Sequence, residues 1–161
     1  MSDYGLIALA RYRREDDVEL IGKGFDAGQR FSGELGIFFW AIECFPNKNF
    51  REALMRFNIG SVAYPPGEKR YYYRALAAYR DRECLALLEC YANEIIGTKP
   101  QQEYDQRHHD ESLGAIYQAL EKYKVPMYAS LMKKIKAHVR ESYFLKEKGF
   151  PWENSPWNTG L

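Results

Sequence analysis

Three groups of residues in the chain have the types and spacing to do chemistry. His108, His109, Asp110 and Glu111 stand in a row, and His138 lies three residues before Glu141. Imidazole nitrogens and carboxylate oxygens bind zinc or iron, and positions i and i+3 share one face of a helix. Adjacent histidines diverge, however, and helical bundles that hold metal through carboxylates use Glu-x-x-His pairs from several helices. No Glu-x-x-His occurs in the chain. The expectation is a solvated loop with carboxylates capping the helix that follows, and no metal or cofactor. A metal-assisted enzyme built on His108, His109, Glu111, His138 and Glu141 stands behind it as an alternative.

The second group is Gly22-Lys23-Gly24-Phe25-Asp26-Ala27, which fits the loose dinucleotide-binding pattern G-x-G-x-x-A and follows the strand-like Val18-Glu19-Leu20-Ile21. That pattern requires a second parallel strand after the helix, with an acid near its end. Pro46-Asn47-Lys48-Asn49 follows instead, with no apolar β-rich run behind it, and one strand makes no parallel sheet. A glycine-rich helix connection is the expected meaning. For nucleophilic catalysis there is no G-x-S-x-G, and no cysteine lies near a histidine in sequence. The expectation is that the protein is not an enzyme.

The third group is Lys69-Arg70-Tyr71-Tyr72-Tyr73-Arg74. Tyrosine rings can stack on bases while Arg and Lys meet phosphates. On a helix the three tyrosines point in different directions; Tyr72 belongs to an apolar stripe, which leaves Tyr71 and Tyr73 as candidate surface anchors.

The elements that must position these groups are helical. Phe31, Leu35, Phe38, Ile42 and Phe45 recur at steps of four and three, and Pro46 ends the pattern. Asn49 is placed to cap a short helix through Phe50, Leu54 and Phe57 that Gly60 stops, and a rigid loop fills 61–67. Tyr72, Leu76 and Tyr79, then Cys84, Leu88, Tyr91 and Ile95, mark either one long helix whose buried face rotates or two helices with Asp81 capping the second. Gly97 and Pro100 stop it, residues 98–109 form a polar linker, and Asp110 caps a helix through Leu113, Ile116, Leu120 and Tyr123. Pro126 starts a last helix through Tyr128, Leu131, Ile135 and Val139, closed by Gly149. Residues 4–21 fit a helix or two short strands, so the N-terminal third is fixed least by pattern. The result is an all-α single domain over 1–149, a bundle of five to seven helices or a short stack of helical hairpins. Residues 150–161 form an extended tail carrying Trp152 and Trp157.

Composition narrows the role. At 161 residues the chain is long enough for one sizeable core, and 46% hydrophobic with 28% charged residues excludes wholesale disorder. The net charge of +1 gives no global pull to nucleic acid or anionic membrane. Residues 1–14 carry Asp3, Arg11, Arg13 and Arg14, unlike a signal peptide, and no apolar run approaches a membrane span. Three cysteines without C-x-x-C spacing suit reduced thiols in the cytoplasm. Charge is segregated: nine acids against three bases in 81–121 give net −6, and eight bases against two acids in 122–148 give net +6. Such blocks steer partners even when the total is near zero. The expected function is a small protein-binding module, in the manner of an immunity protein, antitoxin or phage-encoded inhibitor. Its contacts would be acidic (Glu83, Glu89, Glu94, Glu103, Asp105, Glu111), basic (Lys133, Lys136, Arg140) and aromatic (Tyr71, Tyr73, Trp152, Trp157), and its partner another protein with a basic surface. Nucleic-acid binding through the basic last helix is the second reading.

Overall fold

The computed structural model describes residues 35–56 and 66–139. Among them lie six α-helices, a short 3₁₀ turn and no strand, so the fold is all-α.

Helix α1 (Leu35–Cys44) is the end of the first apolar segment, and it stops ahead of Pro46, before which helical backbone is disfavoured. Phe38 and Ile42 of its stripe are buried, but so are Phe39, Trp40 and Ala41. Helix α2 (Lys48–Arg56) begins one residue earlier than its expected cap. Asn49 therefore lies inside the first turn, and the Asn47 carbonyl accepts from Arg51 N at 3.0 Å.

Helix α3 (Pro66–Ala78) takes Pro66 and Gly67 out of the expected loop, with proline in the first turn, where its missing N–H costs nothing. It is the centre of the molecule, lying between α1 and helix α5 (Glu103–Tyr123) and touching α2 and helix α4 (Arg82–Gly97) as well. From Tyr71 to Ala78 every residue but Arg74 is buried. A helix enclosed on all sides has no polar face.

The two alternatives around Asp81 resolve as two helices. Arg80 closes α3 in the left-handed region at φ 54°, a conformation more often given to glycine. Asp81 then caps α4, its Oδ1 accepting from Cys84 N at 2.8 Å. Cys84 is buried and Cys90 exposed, about 120° apart around α4. Thr98 ends the helix, its hydroxyl and N–H both donating to Glu94 O.

The expected linker over 98–109 is corrected. Helix α5 starts at Glu103, so the His108–Glu111 row is helical and Asp110 is buried within it rather than standing at its N-cap. Local i to i+4 bonds carry the helix through this polar stretch: Gln106 to Asp110 and Arg107 to Glu111. Lys124 ends α5 at φ 48°, and Pro126–Tyr128 forms the 3₁₀ turn into helix α6 (Ala129–Lys136), which packs back on α5.

Tyrosine hydroxyls tie these elements together. Tyr72 donates to Leu54 O at 3.2 Å, Tyr79 to Asn47 O at 2.8 Å and Tyr128 to Ala77 O at 2.9 Å. Leu54 and Ala77 lie in the last turns of α2 and α3, where helix carbonyls lack intrahelical partners. The ring fills the core while its hydroxyl holds a neighbouring helix end.

Candidate functional site

The histidine groups do not converge among the described residues. His108 Nδ1 lies 3.7 Å from a Glu111 carboxylate that also pairs with Arg107 at 2.9 Å. His138, just past α6, is exposed with Nδ1 2.8 Å from Lys134 O, a contact within its own turn. No cluster of three or more His, Cys, Asp or Glu placed to hold a metal ion occurs among the described residues. Glu141, the Gly22–Ala27 pattern, Trp152, Trp157 and Arg140 lie outside the described residues, as does the side chain of Asp105.

Tyr71 and Tyr73 are corrected. They are 1% and 2% exposed, so neither is a surface anchor. The reason is the position of α3: a helix wrapped by four others places all three consecutive tyrosines in the core. Tyr72 meets Phe39 edge-on at 5.2 Å between ring centroids, and Tyr73 lies 6.0 Å from Tyr91. Burial holds the Tyr72 and Tyr73 phenols well above their ordinary range, so both stay neutral.

Two sets of charges are committed inside the molecule. Arg51 on α2 binds Asp81 and Glu83 at 2.7 Å each, fastening α2 to the start of α4. Glu83, expected as a partner-binding acid, is therefore engaged, although it remains exposed. The second set, missed by sequence reasoning, centres on Glu43 of α1, whose side chain is only 3% exposed. Its Oε1 accepts from Arg74 Nε at 3.0 Å, Lys122 Nζ at 2.6 Å and Tyr123 OH at 2.7 Å. Arg74 Nε also sits 2.9 Å from Oε2. Burial and the adjacent Glu43 charge push the Tyr123 phenol strongly upward and keep it a donor. One signal was available: Glu43 is a lone carboxylate in the run Phe38-Phe39-Trp40-Ala41-Ile42-Glu43-Cys44-Phe45, and a charge there must find partners to be buried.

What remains are charges at the surface of α4 and of α6. Lys134 of α6 donates to the Asn93 side chain of α4, a contact between two exposed side chains, while α6 itself packs on α5 and on the 3₁₀ turn before it. On α4, Glu89 is half-buried and Glu94 exposed, and on α6 Lys133 and Lys136 are exposed. None of these four forms an ion pair among the described residues. The basic block does reach a carboxylate through Lys122, but that carboxylate is Glu43, outside the acidic block. Glu103 is exposed at the start of α5, and Glu111 is held by Arg107.

These exposed and half-buried charges of α4 and α6 are of both signs. No family model, curated protein or solved structure matches the chain.

Proposed function

We propose that the protein is a protein-binding module that works through the outward charges of α4 and α6, with no chemistry of its own. The carrying observation is the division of charge. Glu43, Arg74, Asp81, Arg51 and Lys122 are spent on fastening helices, whereas Glu89, Glu94, Lys133 and Lys136 face outward without ion pairs among the described residues. Unneutralised charges on a rigid face speed encounter with a complementary protein and select against others. Inhibition of that partner is the role we attach to the binding. A cytoplasmic setting fits the cysteines, which form no disulfide.

The observations favour this over nucleic-acid binding. Burial of Tyr71 and Tyr73 removes the stacking platform. The test is capture of host protein on the immobilised chain, with association followed at low salt. Reversing Glu94→Lys, or Lys133→Glu with Lys136→Glu, is expected to slow association of the captured protein about tenfold or more, the range that electrostatic steering supplies. Association unchanged by either reversal, or retention of RNA or DNA that falls steeply with salt, would refute it.

A further inference from the structure

The described helices form three hairpins, α1–α2, α3–α4 and α5–α6, and their turns gather at one end of the molecule. Asn47 in the first turn shares two hydrogen bonds with the Tyr79 hydroxyl at the second, at 2.8 and 3.3 Å. Arg80 in the second turn lies over the Tyr123 ring at the third, 5.4 Å from its centroid. The hairpins also repeat one pattern. Ala41-Ile42, Ala75-Leu76 and Ala119-Leu120 are fully buried in the first helices, and Phe45, Tyr79 and Tyr123 stand three residues beyond them. Phe50, Cys84 and Tyr128, five residues further, are buried in turn. In this register Arg80 and Lys124 are equivalent: each follows the aromatic residue and closes the first helix of its hairpin. They are the two non-glycine residues with positive φ among the described residues, at 54° and 48°.

Glycine is the unstrained choice at such a position, yet a long cation stands there twice. Both are exposed, and neither forms an ion pair among the described residues. Lys48 and Arg82, the first residues of α2 and α4, bring two further exposed cations to this end. The acids beside the turns are held from within, Asp81 and Glu83 by Arg51 and Glu43 by Arg74 and Lys122, and Glu121 is the exposed one that remains. A guanidinium lying over a ring keeps its in-plane N–H fork for a carboxylate. Tyr79 and Tyr123 are half-buried, with hydroxyls committed to Asn47 O and to Glu43, and Arg80 covers the Tyr123 ring. A nucleic-acid base finds no stacking platform there, which favours carboxylates as the complement.

We propose that the turn end of the three hairpins docks an acidic segment of a partner protein, with Arg80 and Lys124 taking its carboxylates. The proposal rests on the protein-binding reading for the kind of partner, and uses charges separate from Glu89, Glu94, Lys133 and Lys136. Basic residues at helix C-termini also offset the helix dipole, and that role leads to a different outcome on substitution.

Fluorescence anisotropy of a labelled hexaglutamate peptide, titrated with the full chain at about 10 mM ionic strength, tests this. The wild-type chain should bind it. Arg80→Gly with Lys124→Gly should weaken binding about tenfold or more, the worth of one or more charge-assisted hydrogen bonds. The same variant should keep or raise the urea midpoint, because glycine suits left-handed backbone. Lys133→Ser with Lys136→Ser removes equal charge elsewhere and should weaken binding far less. No binding by wild type, or equal losses in the two variants, overturns the docking site. So does a lowered urea midpoint in the glycine variant, which would mark Arg80 and Lys124 as helix-end stabilisers. A labelled thymidine oligonucleotide held more tightly than the peptide, and lost in the glycine variant, would assign this end to nucleic acid instead. A captured host protein whose association responds to Glu94 and Lys133 but not to the glycine pair would keep the broader reading while this site fails.

Discussion

The tyrosines show how one residue type serves two purposes at once. Tyr128 is fully buried, its ring against the core and its hydroxyl on Ala77 O, and burial pushes the phenol up to about 12, so it donates throughout the physiological range. Ala77 O also accepts from Arg80 N at 3.2 Å, so removing the hydroxyl weakens the carbonyl's environment without orphaning it. Tyr128→Phe should therefore cost about 1 kcal/mol, the net worth of one hydrogen bond, with the urea midpoint falling at unchanged slope. Tyr128→Ala removes the ring as well and should cost about 3–5 kcal/mol. Equal losses in the two variants would mean that the hydroxyl, and not the packed ring, holds α6 to α3. The same pairing of ring and hydroxyl holds for the buried Tyr72 and the half-buried Tyr79.

At the level of elements, the junction of α2, α3 and α4 turns on Asp81. Its carboxylate caps α4 and binds Arg51, whose guanidinium holds it at about 2, well below the ordinary carboxylate value near 4. A pKa lowered by folding stabilises the folded state wherever the group is ionised in both states, and that contribution disappears as pH falls through the folded value. Wild type should thus exceed Asp81→Asn in stability above about pH 4, and the gap should close between about pH 4 and pH 2. Asparagine also caps helices, so the comparison isolates the charge. A gap that stayed constant across that interval in urea titrations would show that Asp81 acts as a cap alone. This junction was legible: the step of five from Tyr79 to Cys84 and the aspartate inside it marked a boundary. Helix α4 was legible for the same reason, since one face is wet and its apolar residues recur at three and four. Helices α1 and α3 were harder, because burial on every side erases the stripe, and tyrosine and arginine read as surface when they are core. The start of α5 was hidden by polarity, its ten first residues held by local side-chain pairs that hydrophobic spacing does not register. Of the outward charges, Lys133 and Lys136 were visible from spacing alone. That they and Glu94 form no ion pair among the described residues depends on how the helices pack, a tertiary fact.

Across the whole molecule, the Glu43 cluster joins segments that sequence cannot bring together: Arg74 is 31 residues away, Lys122 79 and Tyr123 80. It fastens α1, α3 and the end of α5 at a single carboxylate, and its members differ in how much water they see. Glu43 and Arg74 are 3% and 12% exposed, whereas Lys122 is 48% exposed. An ion pair taken out of water is costly to break from one side, because the survivor keeps its charge and loses its compensation. Glu43→Leu should therefore destabilise the protein by about 3–5 kcal/mol, since it leaves the Arg74 guanidinium buried without its carboxylate. Lys122→Met should cost about 1 kcal/mol or less, as for other ion pairs open to solvent. Replacing both buried charges, Glu43→Leu with Arg74→Met, removes the uncompensated cation and fills the space with apolar atoms. The double variant should then be more stable than Glu43→Leu alone, recovering most of the loss. Wild type, Glu43→Leu, Arg74→Met and the double variant form a double-mutant cycle in urea, and the sign of the recovery decides the matter. Additive losses would mean that Glu43 and Arg74 stabilise the bundle through separate packing contacts. A large coupling would mean that one desolvated charge pair sets how α1 and α5 are clamped about α3, and hence where the helices that carry the outward charges are held.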